Sequence, residues 1–163
     1  VKFNLIDKIE SISPDRCVAV KHVSLAEEYL ADHFPTFPVL PGVMMLEAAT
    51  QASTWVLHRR HDFAKSIAVL KEAKNVKYGN FVAPGNALRV EVELHKETDR
   101  GAAFKVSGTV NGQSALAARI EMAYFNLSDT QPELAEIDRR LQAHNRQRWD
   151  LLAAGGNRKE LSL

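Results

Sequence analysis

The sequence predicts an α+β domain, and three observations point to it. A single long apolar segment, from Val43 to about His58, has the length of a helix and almost no charge apart from Glu47. The second half of the chain alternates apolar and polar residues with a period of two, as half-buried strands do. Turn signals punctuate those alternating stretches, Asn111-Gly112 being the strongest. One apolar helix among long antiparallel strands implies a sheet wrapped around the helix.

Cys17 to Val23 reads as a β-branched strand entered through the Ser13-Pro14-Asp15 turn. Ser24 to Tyr29 reads as a short helical turn, with Ser24 and Glu27 at capping-box spacing. Pro35, Pro38 and Pro41 then stiffen a loop, and Pro41-Gly42 opens the long helix. Apolar residues lie nearly all round that helix, so other elements bury it on most sides, and Arg59, Arg60 and His61 suit the negative end of its dipole.

Ile67–Leu70 and Val76–Phe81 read as strand segments, the second running into the Pro84-Gly85-Asn86 turn. Leu88, Val90, Val92 and Leu94 alternate with Arg89, Glu91 and Glu93. Asp99-Arg100-Gly101 turns the chain into Ala103–Val110, and the Asn111-Gly112 hairpin leads into Gln113–Leu127, completing a meander. Thr130 to about Ala154 reads as a separate helix. Thr130 and Glu133 form its capping box, Pro132 sits in its first turn, and Gly155-Gly156 ends it. Leu134, Ile137, Leu141 and Leu152, with Trp149 nearby, give it an apolar stripe that packs on the outside of the sheet; a dimer contact or a lid is the alternative. The chain therefore divides into a main domain, residues 1–127, and a C-terminal helical extension and tail, residues 128–163.

Composition bounds the function. Charged residues make up 25% and the net charge is +1, which argues against a nucleic-acid footprint or a polybasic membrane tail. No apolar run is long enough to span a bilayer, so no membrane insertion is expected. Cys17 is the only cysteine, which rules out an internal disulfide and argues against a cysteine-based metal site; no metal is expected, and the cytoplasm is the expected compartment.

His33 lies between Asp32 and Phe34 on the proline-stiffened loop, which can aim a side chain reproducibly. Glu47 has no basic residue three or four positions away on its helix, so its burial is costly without a partner; Gln51, four residues on, shares its face and can hydrogen-bond it. That setting suits a general acid. Gly42, at the positive end of the helix, offers an N–H that can hold a carbonyl oxygen gaining charge as an α-proton leaves. A base, an acid and a bare helix start are the parts needed to remove water next to a carbonyl.

The run His33-Phe-Pro-x-x-Pro-Val-Leu-Pro-Gly-Val-x-x-x-Glu47-Ala-x-x-Gln51 resembles the signature of the β-hydroxyacyl-ACP dehydratases of the FabZ/FabA family. Val18-Ala-Val-Lys-His-Val-Ser-Leu upstream and Phe81-Val-Ala-Pro-Gly-Asn-Ala-Leu-Arg-Val-Glu-Val-Glu-Leu downstream resemble it too, so that roughly residues 3–127 are covered. The resemblance implies a hotdog fold that pairs through edge strands into a homodimer, or a trimer of dimers, with His33 of one subunit facing Glu47 of another. It implies a (3R)-hydroxyacyl-ACP dehydratase of fatty-acid synthesis that needs no cofactor. His33 is then the base, Glu47 the acid, Gly42 the oxyanion donor, the Val39 carbonyl a guide for the His33 ring, and Gln51 the support of Glu47. Met44 and Met45 line an acyl tunnel, or else are plain core. The partner implied is an acidic acyl carrier protein, for which Lys71, Lys74 and Lys77 offer part of a docking patch or simply a solvated face. The dehydratases that also isomerise the double bond carry Asp at the position of Glu47, so Glu implies dehydration only.

Three departures stand out. The family usually has glycine at Thr36 and at Asp32, and a small or polar residue at Phe37; if the first glycine takes a positive φ, Thr36 is the strained position. The His-Arg-x-Pro-Phe segment common near the family's N-terminus is not found. A hotdog acyl-thioesterase recruiting Glu47, and a non-catalytic acyl-thioester-binding protein, are the alternative functions.

Overall fold

The computed structural model describes residues 3–154. The element order is β1 (Lys8–Ile12), β2 (Arg16–His22), a 3-10 turn (Glu28–Leu30), α1 (Gly42–Arg60), β3 (Ile67–Tyr78), β4 (Ala87–Thr98), β5 (Gly101–Val110), β6 (Gln113–Phe125), two 3-10 turns (Leu127–Asp129 and Pro132–Leu134) and α2 (Ala135–Ala154). The strands form one six-stranded sheet in the order β1-β2-β4-β5-β6-β3, and every pairing is antiparallel. The sheet curls around α1, which contacts β2, β3, β4, β5 and β6.

Local chemistry explains the connections. Asn111 and Gly112 take φ of 50° and 77°, the left-handed pair a two-residue hairpin needs, and Val110 pairs with Gln113 across it. Pro84-Gly85 forms a turn closed by Asn86 N–H on the Ala83 carbonyl, with Gly85 at φ 85°. Inside the sheet, α1 buries Met45, Ala48, Ala49, Ala52, Trp55, Val56 and Leu57 against Val90, Val92, Phe104, Leu116 and Ile120. Small residues on that helix face let the strands approach closely, and the area removed from water is the main stabilising term. Cys17 lies in this core, where burial pushes its thiol up to about 12, so it stays a neutral apolar side chain.

Several expectations are corrected. Ile67–Leu70 and the start of Val76–Phe81 belong to one edge strand, β3, which ends at Tyr78 and whose register shifts between Lys74 and Lys77 around a left-handed Asn75. β1 is an additional strand. The capping box is formed by Asn126 and Asp129, not by Thr130 and Glu133; Thr130 Oγ1 bonds the Leu127 carbonyl instead, and α2 starts only after the Pro132 turn. Glu27 does not cap the Ser24 turn but pairs with the buried Lys21 Nζ at 2.5 Å. The expected helix end at Gly155-Gly156 lies outside the described residues.

α2 lies along the edge strand β1 and against α1 rather than across the broad face of the sheet. Its inner stripe meets α1 and the loop that follows it. Trp149 stands 6.1 Å from Trp55, Asn145 Nδ2 lies 3.2 Å from His58 Nε2, and Arg146 bonds the Asp62 carboxylate and carbonyl. Asp138 anchors the start of α2. Burial alone would raise its pKa, but hydrogen bonds from the Ser128 and Leu127 amides and the Ser66 hydroxyl hold its carboxyl well below the usual range.

Candidate active site

The loop carrying His33 is built on a tight turn. His33 N–H donates to the Tyr29 carbonyl at 3.1 Å, and Phe37 N–H donates to the Phe34 carbonyl at 2.7 Å. Phe34 takes φ 52°, a left-handed conformation that costs a bulky residue on the order of 1–3 kcal/mol. The strained position is thus Phe34, not Thr36. Its ring meets the His33 imidazole edge-on, with centroids 4.4 Å apart. His33 is half-buried, and its Nδ1 is fully buried with no hydrogen-bond partner among the described residues, the Val39 carbonyl included. A buried ring nitrogen without a partner costs on the order of 1–3 kcal/mol.

Glu47 is also half-buried, one and a half turns into α1. Its Oε1 accepts from Gln51 Nε2 at 2.9 Å, and among the described residues no cation pairs with it. Gln51 in turn donates to the Phe3 carbonyl (3.1 Å) and accepts from Leu5 N–H (2.9 Å). Gly42 opens the helix behind Pro41, which supplies no side-chain cap. The Met44 and Met45 amides both turn back to the Pro41 carbonyl, and among the described residues no acceptor takes the Gly42 N–H. A donor at the positive end of a 19-residue helix is thereby left for an incoming oxygen.

The structure brings Glu47 and Gln51 together, but no hydrogen bond joins His33 to Glu47 within the described residues of one chain. Val39 is buried, Met45 is buried in the core, and Met44 is half-buried against it. Lys71 and Lys74 bond Glu121 (3.0 Å) and Glu72 (2.8 Å), which neutralises much of the suggested basic patch. Among the described residues no group of three His, Cys, Asp or Glu side chains is placed to hold a metal ion.

Nothing in the sequence singles out Tyr78. An added Cβ on Gly42 would stand 3.0 Å from its ring, so the helix start rests directly on Tyr78 and a side chain there needs the ring to give by a few tenths of an ångström. Tyr78 ends β3, an edge strand paired on one side only, and with Val43, Phe34, Phe37 and Phe81 it leaves large apolar groups exposed around this end of α1. Only the folded sheet brings Tyr78 to Gly42, so no local sequence signal marks it.

A model of the FabA-like domain matches residues 1–119. The chain belongs to the FabZ/FabA-like family. It is 35% identical over 121 residues to a 3-hydroxyacyl-[acyl-carrier-protein] dehydratase FabZ of Clostridium perfringens, covering 74% of this chain and 87% of that one. A protein of the same name from Pelotomaculum thermopropionicum is 37% identical over 123 residues, covering 75% and 86%. Among solved structures, the dehydratase heterocomplex ApeI:P from Xenorhabdus doucetiae superposes with a TM-score of 0.67 at 16% identity, covering 81% of this chain and 90% of that one, a likeness of fold. The family match ends inside β6, and α2 lies wholly beyond it.

Proposed function

We propose that this FabZ/FabA-like chain is a 3-hydroxyacyl-ACP dehydratase, working as two half-sites contributed by two copies. The observation that carries the reading is the set on one short stretch: a histidine on a strained loop, a carboxyl held by Gln51 without a cation, and an unclaimed helix-start N–H. His33 takes the α-proton from C2 of the 3-hydroxyacyl thioester. The electrons of that C–H bond form the C2–C3 double bond as the C3–O bond breaks. Glu47 gives its proton to the departing hydroxyl, which leaves as water. Gly42 N–H stabilises the thioester oxygen while it carries negative charge. A proton then passes from His33 back to Glu47 through solvent, so the reading calls for no cofactor.

Support for two copies comes from the single chain itself. His33 and Glu47 make no contact by hydrogen bond, the His33 Nδ1 is an orphan, and β3 presents a free twelve-residue edge. A free edge flanked by exposed aromatics is a template for strand pairing. The acyl carrier protein delivers the substrate, and Met44 is the methionine with surface left to meet an acyl chain. Residues 1–127 then form the catalytic hotdog domain and 128–163 its extension.

The test is hydration of a crotonyl-ACP thioester, followed by loss of the enoyl absorbance. Turnover on the order of 10 per second is expected. No hydration at a sensitivity of about a thousandth of that would contradict the reading. Release of free thiol without hydration would point to the thioesterase alternative, and tight acyl-ACP binding without either to the non-catalytic one.

A further inference from the structure

Gln51 is a joint between α1 and the segment that precedes β1. Its amide nitrogen bonds both Glu47 and the Phe3 carbonyl, and its amide oxygen accepts the Leu5 N–H. A shift of the segment Phe3–Ile6 therefore moves Gln51, and with it the carboxyl that Gln51 holds. Leu5 and Ile6 are buried in the core. Asn4, between the two residues that bond Gln51, is exposed and accepts a hydrogen bond from Arg148 Nη2 at 2.5 Å.

Arg148 comes from α2. Its guanidinium lies 5.6 Å from the Trp55 ring, one turn after Gln51 on α1. Among the described residues no carboxylate pairs with it, and burial lowers its pKa. A partly buried guanidinium with a neutral amide as its hydrogen-bond acceptor is a poor source of stability, since its desolvation is not offset by an opposite charge. What it does fix is the one residue lying between the two that hold Gln51. An open groove of about 670 Å³, lined by Phe3, Asn4, Ile6, Arg148, Leu151 and Leu152 among others, lies between this segment and α2. Without the Arg148–Asn4 bond, Phe3 and Asn4, the exposed part of the segment, face open space there.

We infer that α2 sets the position of the Glu47 carboxyl through Asn4, the segment Phe3–Ile6 and Gln51, with Arg148 as the positioning residue. The inference rests on Glu47 being the acid. It gives the extension beyond the family match a role in the reaction rather than in the fold alone.

The experiment compares kcat and KM for crotonyl-ACP hydration in the full chain and in N4A, R148M, R148K, the N4A/R148M double variant, E47Q and R139A. R148M keeps the aliphatic packing on Trp55 and removes the donor. N4A removes the acceptor from an exposed position, so it decides the outcome if R148M does not fold. N4A and R148M should each lower kcat about tenfold with KM changed less than about twofold, as expected for a misplaced catalytic group. The double variant should be no slower than either single one, because both remove the same bond. R148K should recover most of the rate by donating to Asn4, and R139A, which among the described residues bonds only Glu136, should match the parent. N4A at parental kcat while E47Q is inactive would overturn the relay alone, as would R148K no better than R148M. E47Q at parental kcat would overturn the role of Glu47 and the relay with it.

Discussion

The two ends of α1 each carry a phenylalanine forced into the left-handed region, and they treat it in opposite ways. Phe63, at φ 58° just past the C-terminal end, is 2% exposed. Its N–H bonds the His58 carbonyl at 2.7 Å, its ring stacks on the His58 imidazole at 11°, and Arg146 covers it from α2 while bonding Asp62. Phe34, at φ 52° before the N-terminal end, is 56% exposed and touches the half-buried His33. The same backbone cost is over-determined by packing at one end and left to a short turn at the other. Some 27 Å of helix separates them, at about 1.5 Å per residue. The buried end holds the fold together. The open end keeps groups with no partner among the described residues, the His33 Nδ1 and the Gly42 N–H, which the proposed reaction assigns to the substrate and a second copy.

The contrast breaks most sharply if chemistry is removed from the open end. H33A and E47Q should each lower kcat for crotonyl-ACP hydration by about 10²–10⁴, with thermal unfolding midpoints close to the parent. A large fall in the midpoint would mean that this end also carries the fold.

The next largest effect belongs to the closed end. Burial lowers the pKa of His58 from 6.5 to about 4, with Arg148 adding to the shift. Tyr124 Oη faces its Nδ1 and Asn145 Nδ2 its Nε2. The unfolded chain binds this proton near pH 6.5 and the folded chain only near pH 4, so stability is full above about pH 6.5 and falls as pH drops towards 4. The loss over that window is about 3 kcal/mol. Urea unfolding at a series of pH values should show this slope, and H58L should flatten it while leaving kcat within about twofold.

A smaller effect joins the two ends. G42A places a methyl 3.0 Å from the Tyr78 ring, so the ring or the helix start must give by a few tenths of an ångström. We expect about a tenfold loss of kcat with little change in stability, read from the same assay and a thermal melt. The smallest effect is expected away from both ends. K71A removes an exposed pair with Glu121 and should change unfolding free energy by less than about 0.5 kcal/mol.

Much of the fold is legible in the sequence because its determinants are local. The Asn111-Gly112 and Pro84-Gly85 turns, the alternation in β4 and the apolar run of α1 each fix their own element. β3 reads as two pieces because it is an edge strand bulged at Asn75, with Lys71, Glu72 and Lys74 exposed, so alternation fails in its middle. The position of α2 is not legible because its inner stripe is partly polar. Asp138, Gln142 and Asn145 satisfy loop and histidine groups that no apolar pattern reveals. At the site, the Glu47–Gln51 pair follows directly from helical spacing. Tyr78 against Gly42, and Phe34 rather than Thr36 as the strained residue, depend on tertiary packing and do not.

The central claim is that each site takes His33 from one copy and Glu47 from another. It is tested most directly by mixing subunits of H33A and E47Q, each inactive alone, by joint refolding. A mixed dimer holds one site with both groups intact and one with neither, so random pairing should restore about a quarter of parental activity. Activity no greater than the sum of the two separate variants would contradict the claim and place both groups in a site within one chain.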